Sequence, residues 1–168
     1  GVLAIADASA AGDIVTDRTF QWFELSLEYN MGKGQNAGIM FHVGEDDAYP
    51  WMSGPEIQLY DNAADPGGQL AGWLYDLVKS PIDATKPAGE WNKLRIIIAP
   101  KKCETYMNGK KYYEFVLGSD DFKARVEKSK FGKMPNFAKL GKGGISIQGD
   151  HGNVMYRNIK VREIKERA

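Results

Sequence analysis

The chain has 168 residues, 19 of them glycine, with 22 basic residues set against 22 acidic ones. That length suits one domain with a core large enough to need no disulfide staples. The lone Cys103 can form no internal bridge. Balanced charge leaves no footprint for nucleic acid or an anionic membrane surface. No apolar run approaches the roughly 20 residues of a membrane-spanning helix, and no basic-then-apolar leader opens the chain.

In chain order, Phe23, Leu25, Leu27 and Tyr29 alternate with Glu24, Ser26 and Glu28, a strand with one apolar face. Ile39, Phe41 and Val43 alternate with Gly38, Met40 and His42. The stretch Gly54–Asn62 is the most informative. Ile57 and Leu59 share one face, while Glu56, Gln58 and Tyr60 put an acid, an amide and a phenol in a row on the other. Asp61–Gly72 reads as a long loop turning at Asp65-Pro66-Gly67-Gly68. Leu94, Ile96 and Ile98 alternate with Arg95, Ile97 and Ala99, which predicts a strand buried on both faces. Asn108-Gly109, between Cys103–Met107 and Lys111–Leu117, predicts a hairpin, because a type I′ turn needs positive φ twice. One helix is predicted from Ser119, a capping residue, to Lys128, with Phe122 and Val126 as its apolar stripe. Ser129–Lys142 reads as a basic loop, and its lysines carry no known nucleic-acid module. Gly143–Gln148 and Val154–Ile164 close the chain as strands, joined by Asp150-His151-Gly152-Asn153. Many short strands with turns between them predict an all-β protein, a sandwich or jelly roll with one short helix.

Gly12-Asp13-Ile14-Val15-Thr16, Phe23-Glu24-Leu25, Asn36-Ala37-Gly38-Ile39, Gly54-Pro55-Glu56-Ile57-Gln58, Leu74-Tyr75-Asp76-Leu77, Gly89-Glu90-Trp91-Asn92, Asn108-Gly109 and Tyr156-Arg157-Asn158-Ile159-Lys160 occur in that order. As an ordered set spanning nearly the whole chain they resemble the 3-keto-disaccharide hydrolase domain family. The resemblance implies a concanavalin A-like jelly-roll sandwich of two antiparallel sheets, a single domain over 1–168, and a secreted or periplasmic role in bacterial sugar breakdown. It implies a carbohydrate as partner. Family members usually begin with a further N-terminal segment, which the resemblance leads one to expect this sequence lacks. Ala37 stands where Ser is common, which predicts one hydroxyl fewer near the site.

Glu56 and Gln58, about 6.5 Å apart on one strand face, lead the candidate site. Glucanases of this fold use two Glu and one Asp on one strand. Gln58 stands where an acid would be needed, and Asp61 falls on the wrong parity. Two-carboxylate glycoside hydrolysis is therefore not supported by this strand. Cleavage of a 3-keto sugar by proton abstraction at C2 and elimination needs only one base and one oxyanion stabiliser. Glu56 and His151 both remain open as the base, with Arg157, Lys130 or a bound cation as stabiliser. His42 beside Glu56 is expected if their strands are neighbours. His42, Glu56 and His151 are the candidate ligands for a divalent metal ion, with spacing that fits no metal motif. Tyr60, Trp51, Tyr75, Lys130, Asn36 and Gln148 complete the expected substrate-binding set, with Trp51 exposed for stacking on a sugar ring and Trp91 in the core. The alternative is a non-catalytic carbohydrate-binding module.

Overall fold

The computed structural model describes residues 1–165. Ten strands form two antiparallel sheets packed face to face as a jelly-roll sandwich. The six-stranded sheet runs β1 (Val2–Ala4), β10 (Val154–Glu163), β3 (Phe23–Met31), β6 (Asn92–Ile98), β7 (Cys103–Met107), β8 (Lys110–Phe115). The four-stranded sheet runs β2 (Ile14–Val15), β9 (Gly144–Ile147), β4 (Asn36–Val43), β5 (Glu56–Tyr60). A helix, α1 (Asp120–Lys128), follows the Ser119 cap, whose side chain accepts a hydrogen bond from the Phe122 N–H. Phe122 is buried and Val126 half-buried, as the stripe predicts.

The alternation explains the core. Phe23, Leu25, Leu27 and Tyr29 on β3, and Leu94, Ile96 and Ile98 on β6, face Ala37, Ile39 and Phe41 on β4 and Ile57 and Leu59 on β5, all buried. Two expectations need correction. Strand β6 is buried on one face only, because Arg95 and Ile97 are half-exposed on the outside of the six-stranded sheet, where Arg95 pairs with Glu24 at 2.6 Å. Ala37 pairs with Leu59 and points into the core, so a hydroxyl there would not reach the opposite, polar face.

That polar face of the four-stranded sheet is the part the alternation misjudged. Period-2 patterning predicts a half-buried strand at β5, yet Glu56 and Gln58 are only 8% and 4% exposed. Met40 and Ser146, on the same face, are fully buried. Two loops cover them. The segment from Gly72 to Val78 pairs along the free edge of β5: Gly72 N–H donates to Gln58 O, Gln58 N–H to Trp73 O, and Tyr75 N–H to Glu56 O. The basic loop after α1 is held down by Phe131 and Phe137, whose rings stack 4.1 Å apart and 5° from parallel. Apolar anchors, not lysines, decide where this loop lies.

Candidate active site

The covered face leaves a cavity of about 250 Å³ lined by Asn36, Trp51, Glu56, Gln58, Tyr75, Lys130, Phe131, Gln148 and His151. Strand register builds its floor. Gly38 pairs with Gln58 on one side, and on the other its carbonyl accepts from the Gln148 N–H at 2.9 Å. Asn36 lies two residues from Gly38 along β4, on the same face. Met40 pairs with Glu56. Four polar side chains thus surround one glycine.

Three of the four carry orphaned acceptors. Among the described residues, Asn36 Oδ1, Gln58 Oε1 and Gln148 Oε1 are buried without a hydrogen-bond partner. Gln58 Nε2 donates to Gln69 O at 3.3 Å, which turns its oxygen toward the cavity. An unpaired buried carbonyl costs about 1–3 kcal/mol, and three in one cavity suit a ligand that brings several donors, as a polyol does. The Glu56 carboxyl receives no protein hydrogen bond from the described residues. Burial pushes it up to about 7, and Asp13 adds to this, while Lys130 and His151 offset part of the rise.

The rim is aromatic and cationic. Lys130 Nζ sits 4.2 Å from the Tyr75 ring centroid, and its backbone N–H donates to Asp76 Oδ2 at 3.0 Å, tying the basic loop to the Tyr75 segment. Trp51 is half-buried rather than fully exposed, and its ring stacks on Tyr49 at 5.6 Å and 9°. His151 is exposed and bonded to Asp150 through Nδ1.

Three expected members lie elsewhere. His42 is the extra residue of a β-bulge between Phe41 and Val43, with φ of 53°. The bulge turns its ring into the core, against Phe41, Phe23 and Trp22, where it bonds Gln21 O at 2.8 Å. Its strand does neighbour that of Glu56, which meets the condition set for the pairing, but Met40 takes the place beside the acid. Burial pushes the His42 pKa down, so the ring is neutral. Arg157 is on the outer face of the six-stranded sheet, across the sandwich from the cavity. Its Nε bonds Glu28 at 2.5 Å, and its guanidinium lies 4.0 Å from the Trp91 ring centroid. Trp91 is accordingly half-buried outside the core. A second bulge, after Arg157, brings Asn158 to the same Glu28 carboxylate rather than to the opposite face. Tyr60, at the end of β5, packs against the core and does not line the cavity. Asp61 accepts from Gly34 N–H at 2.9 Å and is a loop anchor.

The metal expectation does not fit this arrangement. His42 is locked in the core, away from Glu56 and His151, and the described residues bring no three His, Cys, Asp or Glu side chains together as ligands. The sequence reading also missed members. Gly38, Phe131 and Tyr49 belong to the site or its rim, and Asp13 acts on Glu56 through its charge. Gly38 and Asp13 sit inside motifs that carry the family resemblance. Phe131 sits in Ser129-Lys130-Phe131, a stretch that also resembles the family, while Tyr49 gave no signal beyond being an aromatic residue in a loop.

A family model described as a 3-keto-alpha-glucoside-1,2-lyase-like domain matches residues 1–162. A curated relative from Bacteroides thetaiotaomicron, named 3-keto-disaccharide hydrolase, is 30% identical over 178 residues, covering 90% of this chain and 61% of its own length. The chain thus spans about three-fifths of that relative. Two crystal structures of candidate glycosyl hydrolases from Parabacteroides distasonis have the same fold. One is 25% identical with a TM-score of 0.86, over 98% of this chain and 81% of its own. The other is 28% identical with a TM-score of 0.75, over 91% and 83%.

Proposed function

The chain belongs to the 3-keto-alpha-glucoside-1,2-lyase-like domain family, and from that premise we propose that it cleaves the glycosidic bond of 3-keto sugars, with Glu56 as the base. The observation that carries this reading is the Glu56 carboxyl. It is buried in a sugar-sized cavity, free of protein hydrogen bonds from the described residues, and pushed up to about 7. A base of that strength is near optimal at neutral pH.

The chemistry balances with the residues present. A ketone at C3 acidifies the hydrogen on C2. The Glu56 carboxylate takes that proton, and the C2–H electrons form the C2=C3 bond of an enolate, placing charge on O3. Collapse of the enolate restores the C3 carbonyl, forms the C1=C2 double bond and breaks the bond from C1 to the leaving oxygen. That oxygen collects a proton from the rim, where His151 and the newly protonated Glu56 are the available donors. Water adds to the double bond afterwards. Of the stabilisers left open by the sequence, Arg157, Lys130 and a bound cation, Lys130 is the one on the cavity wall and takes the oxyanion-stabilising role. Asn36, Gln58 and Gln148 accept hydrogen bonds from sugar hydroxyls, and Trp51 and Tyr75 flank the ring.

Turnover of a 3-keto-glucoside tests this. Glu56→Gln keeps shape but removes the base, and a loss of about 10²–10⁴-fold in kcat is expected; near wild-type turnover would overturn the assignment. In the wild type, the rate should rise with pH to a plateau just above about 7, as Glu56 loses its proton. A flat profile from pH 5 to 8 would point to another base. The three orphaned amide oxygens also favour a second reading, carbohydrate binding without chemistry, since they need only hydroxyl donors. Glycan binding with no turnover of any 3-keto-glycoside would establish that role instead. Family membership further supports a periplasmic or secreted location, which fractionation of the native host would check.

A further inference from the structure

We propose that Gly38 is the positioning residue for Glu56: its missing side chain is the space in which the acid lies. The proposal rests on the reading of Glu56 as the reacting base. A Cβ built on Gly38 would stand 2.1 Å from Glu56 Oε1, 2.7 Å from Cδ and 2.8 Å from Cγ. All three are far inside van der Waals contact. The Glu56 side chain therefore leans diagonally across to β4 and rests flat on the sheet above Gly38.

Nothing else at this position requires glycine. Gly38 is a paired strand residue outside the left-handed region, so the backbone admits any side chain. In a strand interior, glycine carries a cost and gives no packing in return. Its presence calls for a close neighbour, and the three atoms nearest the missing Cβ all belong to Glu56. The alternative directions are closed. Met40, directly opposite Glu56, is fully buried on the same face, and Gln58 occupies the next place along β5. The contrast with Gly32 is clear, because a Cβ there meets only Gln35 Cγ, at an ordinary 3.6 Å.

The consequence is chemical as well as steric. Lying on the sheet, the carboxyl is buried, and burial is the main cause of its raised pKa, which the charges of Lys130 and His151 partly offset. An alanine at position 38 would push it off the sheet and out of that burial. Its charged form would become easier to hold, and its basicity would fall. Gly38 thus sets where the base sits and how strong it is.

The experiment combines a stability cycle with a titration. Gly38→Ala should lower Tm by about 5 °C through overpacking. In a Glu56→Ala background, where the colliding atoms are gone, the same change should cost little. Following the Glu56 carboxyl by NMR, its midpoint should drop by about one pH unit or more in Gly38→Ala, while Gly32→Ala leaves it in place. Equal Tm losses in both backgrounds, or an unmoved midpoint, would overturn the proposal. If Gly38→Ala fails to fold, folding of the Gly38→Ala, Glu56→Ala double variant supports it and failure of both overturns it. Neither readout uses turnover, so Gly38 is judged even if 3-keto-glycosides prove not to be substrates.

Discussion

Arg157 and Lys130 look alike as cationic candidates, yet only Lys130 borders the cavity. Arg157 faces outward from the opposite sheet, spent on Glu28 and Trp91. Parity along β10 gives no hint of this, because it says which face a residue takes but not which sheet the strand joins. The same limit applies to His42. Its strand does neighbour that of Glu56, but one bulge residue with φ of 53° reverses its direction. Histidine tolerates positive φ better than most residues, but a single histidine in an alternating apolar run is too weak a signal to mark the bulge. Glu56, Gln58, Asn36, Gln148, Lys130, Trp51, Tyr75 and His151, by contrast, do meet in one cavity. At this scale, Arg157→Ala should lower Tm while leaving kcat/KM for a 3-keto-glucoside within about twofold, since its partners are remote from the cavity. A much larger kinetic loss would return Arg157 to the site.

Among the elements, the Asn108-Gly109 hairpin was the clearest in advance, and it forms between β7 and β8 with φ of 49° and 79°. Its sequence signal is local, which is why it could be read. Asn108 does more than turn. Its Oδ1 accepts from Lys93 N–H at 2.8 Å, and its Nδ2 donates to Ala84 O at 2.7 Å and to Asn92 Oδ1 at 2.8 Å. Asn92 Oδ1 in turn accepts from Lys86 N–H at 2.7 Å. One side chain thus fastens the turn to β6 and to the loop before it, a role that no spacing rule reveals. Asn108→Ala should cost about 2–3 kcal/mol in urea unfolding, from lost hydrogen bonds and the positive φ together. Asn108→Gly restores only the backbone share and should fall between.

At the scale of the molecule, the sheets are legible in the alternation of each strand, whereas most of the cavity's members are legible only through residue chemistry and the family motifs. Two sheets follow from apolar alternation, which is written into each strand. The cavity needs residues 36, 56, 75, 130 and 148 to meet, and those long-range approaches depend on how loops fold over a sheet. The buried acid also has a cost to the whole fold. In the unfolded chain Glu56 titrates near its ordinary 4.5, and in the fold near 7. Between these values the folded protein keeps a proton that the unfolded chain has released, so stability falls as pH rises through this window and stays lower above it. Glu56→Gln removes that loss. Relative to wild type, it should be stabilised by about 3 kcal/mol more at pH 8 than at pH 4. The same stability difference between the two proteins at pH 4 and at pH 8 would show that the acid is not held under strain of this kind.

The Tyr49–Trp51 stack at the cavity mouth has an optical consequence. Two aromatic rings 5.6 Å apart and nearly parallel couple their electronic transitions and give a near-ultraviolet circular dichroism signal of their own. Because Trp51 lines the cavity while Tyr49 stands outside it, a sugar sliding against Trp51 would perturb that signal from one side only. The protein therefore carries its own label at the mouth of the cavity, and occupancy can be followed without dye or substrate turnover.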